Sequence, residues 1–251
     1  MRRLQNIAYN EHAECKLDVY LPEEKNFKTI MYFHGGGLEM HGRNGEHTVN
    51  IAQSFVKAGY AFVSADYRIY PQAKAPEFLL DTADAVGFVN SKLTDWGGDG
   101  KIILSGQSAG AWLCLMLCLD KKYLKSVGVD STQINGWIID SAQTTAHFNV
   151  LQKEFGVNPL TQCINEYAPQ YFVNENTQFS KMLLIYYQKD MPCRPEQNKL
   201  FYASVLAFEP KADIQCVELP GGHCHGSSVK DEDGEYAYVK TALAWLKQKG
   251  L

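Results

Sequence analysis

Gly106-Gln107-Ser108-Ala109-Gly110 places one serine between two outer glycines. The apolar run Lys101-Ile102-Ile103-Leu104-Ser105 precedes it, and the apolar helical run from Ala109 follows. In that setting the G-x-S-x-G pattern marks a sharp strand-to-helix turn that lifts a hydroxyl clear of a sheet. The glycines are needed because the turn leaves no room for side chains. The helix behind it aims N–H groups and a positive dipole end at the reacting centre. The chemistry this suits is nucleophilic attack by Ser108.

A serine hydroxyl needs a base, and the base needs an acid to orient it. After a nucleophile on such a turn, the acid and then the base follow along the chain. Asp190 stands directly after the apolar run Leu183-Leu184-Ile185-Tyr186-Tyr187-Gln188-Lys189, at a strand's carboxyl end, where open-sheet sites form. Asp140 also ends a strand but comes one strand too early, and is the second choice. The base falls in Pro220-Gly221-Gly222-His223-Cys224-His225-Gly226, after the strand Ile214–Leu219. Two preceding glycines favour His223, with His225 as the alternative. A metal site from Cys216, His223, Cys224 and His225 is not expected, since so cramped a cluster cannot supply tetrahedral ligation.

His34-Gly35-Gly36-Gly37 ends the strand Thr29–Phe33. Its glycines can turn backbone N–H groups toward an oxyanion, and the N–H of Ala109 would complete the hole. His34 reads as a brace for this loop rather than a proton carrier.

The elements that must hold these residues alternate. Thr29-Ile30-Met31-Tyr32-Phe33, Ala61-Phe62-Val63, Ile102-Ile103-Leu104, Trp137-Ile138-Ile139 and Met182–Tyr187 are continuously apolar, as strands buried on both faces are. Helical patterns lie between them over Thr48–Ala58, Pro76–Leu93, Ala109–Leu119 and Pro195–Ala207. A last helix, Tyr236–Lys249, closes the chain. This order predicts an α/β fold with a mostly parallel central sheet covered by helices on both faces. Cys15–Leu21 alternates, which predicts an antiparallel edge strand with one wet face. Ser141–Ser180 is too long for a plain crossover and reads as a small lid-like insertion with short helices over Ala146–Phe155 and Leu160–Ala168. Leu38, Met40, Tyr70, Phe148 and Phe155 are the candidates for an acyl wall.

Taken together, His34–Gly37, Ser64-Ala65-Asp66-Tyr67-Arg68, Trp96-Gly97-Gly98-Asp99, Gly106–Gly110 and the Asp190 and His223 loops resemble the α/β-hydrolase superfamily. Within it they are similar to the hormone-sensitive-lipase-like and feruloyl-esterase-like carboxylesterases. The resemblance runs from about Lys28 to Gly226. It implies a triad of Ser108, Asp190 and His223, an oxyanion hole from Gly36, Gly37 and Ala109, and ester hydrolysis through an acyl-enzyme with no cofactor and no metal. It departs from its relatives at Gln107, at Ala111 and at Ile69-Tyr70-Pro71. The stretch Met1–Glu14 has no room for the helical cap that many such relatives carry.

Composition narrows the partners. The 251 residues carry 24 Lys and Arg against 28 Asp and Glu, a net charge of −4. That argues against a general nucleic-acid binder, which needs a concentrated positive surface. No apolar run approaches the roughly 20 residues of a membrane span. The first residues turn polar at Glu11, His12 and Glu14, where a secretory leader would be apolar. The seven cysteines are odd in number, which fits reduced thiols in a cytoplasmic setting. The expectation is one α/β-hydrolase domain over residues 1–251, with 141–180 as its insertion, acting on small soluble esters with short-chain or aromatic acyl groups. An amidase, aryl formamidase or peptidase using the same triad is the alternative. A non-catalytic binding module is a weaker one, since every catalytic role has a candidate residue.

Overall fold

The continuously apolar runs form the middle of one eight-stranded sheet, because strands buried on both faces need no polar side. The structure, a computed structural model, describes residues 1–40 and 42–251. Its strands are β1 (Arg2–Ala8), β2 (Lys16–Leu21), β3 (Phe27–Phe33), β4 (Ala61–Ala65), β5 (Gly98–Gln107), β6 (Gly136–Asp140), β7 (Met182–Lys189) and β8 (Ile214–Gly222). They are ordered β1-β2-β4-β3-β5-β6-β7-β8. The pairs β1–β2 and β2–β4 are antiparallel, and the rest of the sheet is parallel.

Successive side chains of a strand face opposite ways. Met31 and Phe33 of β3 therefore join one core, while Ile30 and Tyr32 join the other. The helices are α1 (Glu46–Lys57), α2 (Glu77–Lys92), α3 (Ala109–Leu119), α4 (Lys122–Ser126), α5 (Phe148–Phe155), α6 (Arg194–Phe208), α7 (His225–Ser228) and α8 (Ala237–Lys249). Phe78 of α2, Trp112 of α3 and Phe201 of α6 fill the first core. Phe55 of α1 and Trp245 of α8 fill the second. Every residue of α3 is buried, as its unbroken apolar sequence requires. Among the described residues, no helix is long and apolar enough to cross a membrane.

Two expectations fail here. The strand at Lys16–Leu21 is antiparallel but is not the edge, and it has no wet face. The polar β1, whose sequence shows no alternation, covers it. Asp18, the source of the apparent wet face, is buried as an ion: Arg3 and Arg43 donate to its carboxylate, as does the Asn6 N–H. A buried carboxylate tolerates its site when it is paired and hydrogen-bonded in this way. The second correction concerns Leu160–Ala168, which is turns and not a helix. Asn158 accepts the N–H of Leu160 and Asn165 that of Tyr167, so these side chains satisfy locally what a helix would have used.

The segment between β6 and β7 is tied down on both sides. Gln197 Oε1 accepts the Thr144 N–H, Asn198 Nδ2 donates to the Ala142 carbonyl, and Trp112 Nε1 donates to that of Tyr167.

Candidate active site

The turn between β5 and α3 holds Ser108 at φ 53°, ψ −112°, a conformation that L residues seldom adopt. Packing around the turn shows why its outer positions are glycine. A β-carbon on Gly106 would stand 2.3 Å from the Gly110 backbone. One on Gly110 would stand 2.0 Å from the Phe33 carbonyl oxygen. Ser108 is also pinned from below, its N–H donating to the Asp140 carbonyl at 2.8 Å.

Ser108 Oγ lies 2.8 Å from Nε2 of His223. His223 follows β8 directly, and its Nδ1 lies 2.5 Å from Oδ1 of Asp190, which follows β7 directly. Hydroxyl, imidazole and carboxylate thus form one chain across three strand ends. The Asp190 side chain is shielded from solvent, whereas 28% of that of His223 is exposed. Burial pushes the Asp190 carboxyl up, but hydrogen bonds and charge from His223, with further bonds from Ser141 and the Met191 N–H, hold it below its usual range. It is held in its ionised form beside the imidazole.

The two alternatives left open by the sequence lie elsewhere. His225 is exposed at the start of α7, its ring packed where a β-carbon on Gly221 would be, 2.5 Å from its Cγ. It does not reach Ser108. Asp140 sits beneath the site and accepts from Tyr187 Oη at 2.8 Å and Ser227 Oγ at 2.5 Å, so it is not the histidine's partner.

The loop after β3 brings Gly35, Gly36 and Gly37 to the same cleft as Ser108. Gly36 and Gly37 take φ of 105° and 64°, which glycine adopts without strain. Ala109 opens α3, so its N–H is among those with no partner inside the helix. His34 braces the loop: its Nδ1 lies 2.7 Å from the Gly35 carbonyl and its ring stacks on Tyr67. Tyr67 Oη in turn donates to the His34 carbonyl.

The cleft encloses about 450 Å³. Of the five expected wall residues, Met40 and Phe148 line it. Leu38 is fully buried, Tyr70 lines a neighbouring cleft, and Phe155 is exposed beside Tyr167.

Two residues escaped the sequence reading. Ser141 donates to Oδ2 of Asp190, and its Oγ lies 3.0 Å from His223 Nδ1. Its only signal was its place at a strand's carboxyl end. Asn149 of α5 donates to the Gly37 carbonyl at 2.6 Å and to Glu39 at 2.8 Å. No local pattern marked it.

A serine on a strand-to-helix turn, hydrogen-bonded to a histidine after β8 and through it to an aspartate after β7, is the arrangement of the α/β-hydrolase fold. Within that class the chain belongs to the BD-FAE family, whose profile matches residues 17–204. A probable isoprenylcysteine alpha-carbonyl methylesterase from Oryza sativa subsp. japonica is 28% identical over 148 residues, 58% of this chain and 33% of that one. The match thus spans about a third of this plant relative. The carboxylesterase NlhH of Mycobacterium tuberculosis is 30% identical over 109 residues, 42% of this chain and 34% of its own. Esterase LipC of the same species is 23% identical over 249 residues, covering 90% of this chain and 60% of that one. Among solved structures, Thermogutta terrifontis esterase 2 phosphonylated by sarin aligns with a TM-score of 0.80 at 18% identity, covering 97% of this chain and 94% of that one. Esterase B from Lactobacillus rhamnosis aligns at 0.79 and 16%, covering 99% and 85%. At these identities the structural likeness bears on the fold.

Proposed function

We propose that this chain is a serine carboxylesterase acting on small soluble esters. The observation that carries this is the unbroken hydrogen-bonded chain from Ser108 through His223 to Asp190. Ser108 Oγ attacks the ester carbonyl carbon while its proton passes to His223 Nε2. The proton then goes to the departing alcohol oxygen, leaving an acyl group on Ser108. Water, deprotonated by the same nitrogen, attacks that acyl carbon and releases the acid. Asp190 holds the Nδ1–H tautomer and balances the imidazolium. The N–H groups of Gly36, Gly37 and Ala109 face the developing oxyanion.

The relatives named as carboxylesterase, esterase and methylesterase support an ester in preference to an amide. A cleft of about 450 Å³ suits a short-chain or single-ring acyl group. The seven unpaired thiols fit a reducing, cytoplasmic location.

The test compares p-nitrophenyl acetate and butyrate turnover by wild type, Ser108→Ala, His223→Ala and His225→Ala. Wild type and His225→Ala should agree within about threefold. Ser108→Ala and His223→Ala should each lose at least about 10³-fold. Turnover by wild type no faster than by Ser108→Ala sinks the proposal.

A further inference from the structure

Ser141 lies at the junction of the three strands that supply the triad. It follows β6 directly, and its N–H donates to the Ile185 carbonyl of β7 at 2.8 Å. One residue earlier, the Asp140 carbonyl accepts the N–H of Ser108, at the end of β5. The end of β6 therefore links the nucleophile's strand to the acid's. On the far side, Arg194 of α6 donates through Nη1 to the Ser141 carbonyl at 2.7 Å. The residue is fully buried. These contacts hold it at φ 60°, in the left-handed region where a non-glycine residue costs of the order of 1 kcal/mol. A serine kept in so unfavourable a conformation, where glycine would fit without strain, needs a use for its hydroxyl.

Two contacts of the hydroxyl reach the triad. Its hydrogen goes to Oδ2 of Asp190, which leaves Oδ1 for the histidine. Its oxygen lies 3.0 Å from His223 Nδ1, a second acceptor beside Oδ1. A single carboxylate oxygen leaves the imidazole free to rock about one contact, whereas two acceptors at Nδ1 fix both the ring plane and the tautomer. With Nδ1 protonated, the lone pair of Nε2 faces Ser108.

From this geometry, and on the reading that Ser108 is an esterase nucleophile, we infer that Ser141 is a fourth member of the relay, a positioning residue that sets the orientation of His223 and divides the work of the Asp190 carboxylate. Asp190 faces the imidazole directly, Arg194 holds the Ser141 carbonyl, and Asp140, whose carboxyl burial pushes up to about 7, lies near Asp190 from below. The Cys224 thiol also reaches Ser141 and is kept protonated by burial.

The experiment measures labelling of Ser108 by a fluorophosphonate from pH 5 to 9, which needs no knowledge of the natural ester. It compares wild type with Ser141→Ala and Ser141→Gly, with thermal unfolding recorded for each. Glycine accepts φ 60° without strain, so the glycine variant removes the hydroxyl while easing the backbone. Both variants should label about tenfold more slowly than wild type. In both, the acid limb of the profile should move to higher pH, because a carboxylate that has lost one donor holds the imidazolium more tightly. A glycine variant with the wild-type rate and profile overturns the inference, since the hydroxyl would then be dispensable. Slow labelling with an unmoved acid limb overturns it too, because loss of packing alone explains that result. A wild type that does not label removes the esterase reading itself, and this inference with it.

Discussion

Asn149 of α5 donates to the carbonyl of Gly37 across 2.6 Å, joining the insertion to the glycine loop beside Ser108. The same nitrogen donates to Glu39, which is paired with Lys153 of the same helix at 2.6 Å. The hydrogen bond from Lys153, with that from Asn149, keeps the Glu39 carboxyl below its ordinary range, although burial slightly opposes this. The helix is thus hinged to the loop at two points. Its own start is set by His147, which caps the Asn149 N–H and is kept neutral by burial and by Arg194, its pKa lowered to about 3.

Asn149→Ala should therefore reduce kcat on p-nitrophenyl acetate by about tenfold and change KM little. The loss is smaller than the 10²–10³ that follows removal of an oxyanion donor, because the donors remain and only their aim slackens. Steady-state kinetics on the purified variant measures the split. A raised KM at unchanged kcat would place Asn149 in ground-state binding instead.

The nucleophile turn makes a sharper demand on its glycines. Gly110→Ala puts a methyl group about 2.0 Å from a backbone oxygen of β3, which cannot swing aside as a side chain could. The expected cost is about 3 kcal/mol or more, read as a lower midpoint in urea unfolding. Gly128→Ala is the comparison: its position is open, with nothing within 4 Å of the added carbon, and φ there is 74°. It should show only the backbone cost of a left-handed alanine, about 1 kcal/mol.

Asp140 carries a pH signature. Burial pushes its carboxyl up to about 7, against hydrogen bonds from Ser227 and Tyr187 that pull it down, with the charge of Asp190 adding to the rise. The unfolded value is near 3.9. Between those limits the folded chain holds a proton that the unfolded chain has released. The stabilisation is complete below about pH 4 and is lost as pH rises through about 7. Each pH unit in that window costs at most about 1.4 kcal/mol. Asp140→Asn cannot titrate, so wild type should lose stability relative to it between pH 5 and 7.5. Parallel unfolding curves for the two proteins across that range would refute this.

The sequence made the central sheet legible for a simple reason. Strands buried on both faces must carry unbroken apolar runs, and β3 through β7 each do. It hid β1 for the converse reason: an exposed edge strand such as Arg2–Ala8 has no need of alternation. Lys16 and Asp18 misled because alternating charges read as a wet face, whereas the Asp18 partners Arg3 and Arg43 lie 15 and 25 residues away. In the site, Ser108 was legible because strand, turn and helix are contiguous. The two glycines before His223 favoured it over His225, but both histidines follow the same strand, so His225 stayed open until the geometry separated them. Ser141 and Asn149 act through neighbours distant in sequence, which no local pattern encodes.

The base sits at the rim of the sheet. β8 is the last strand, bonded to β7 on one side only and half exposed along its length. The nucleophile, by contrast, hangs on β5, flanked by β3 and β6 in the interior of the sheet. Rim strands open at lower free energy than central ones. On gentle denaturation β8 should open before β5 and carry His223 away from an intact Ser108. The protein would then fall silent while most of its structure persists, and dilution would restore turnover at the speed of one strand re-docking.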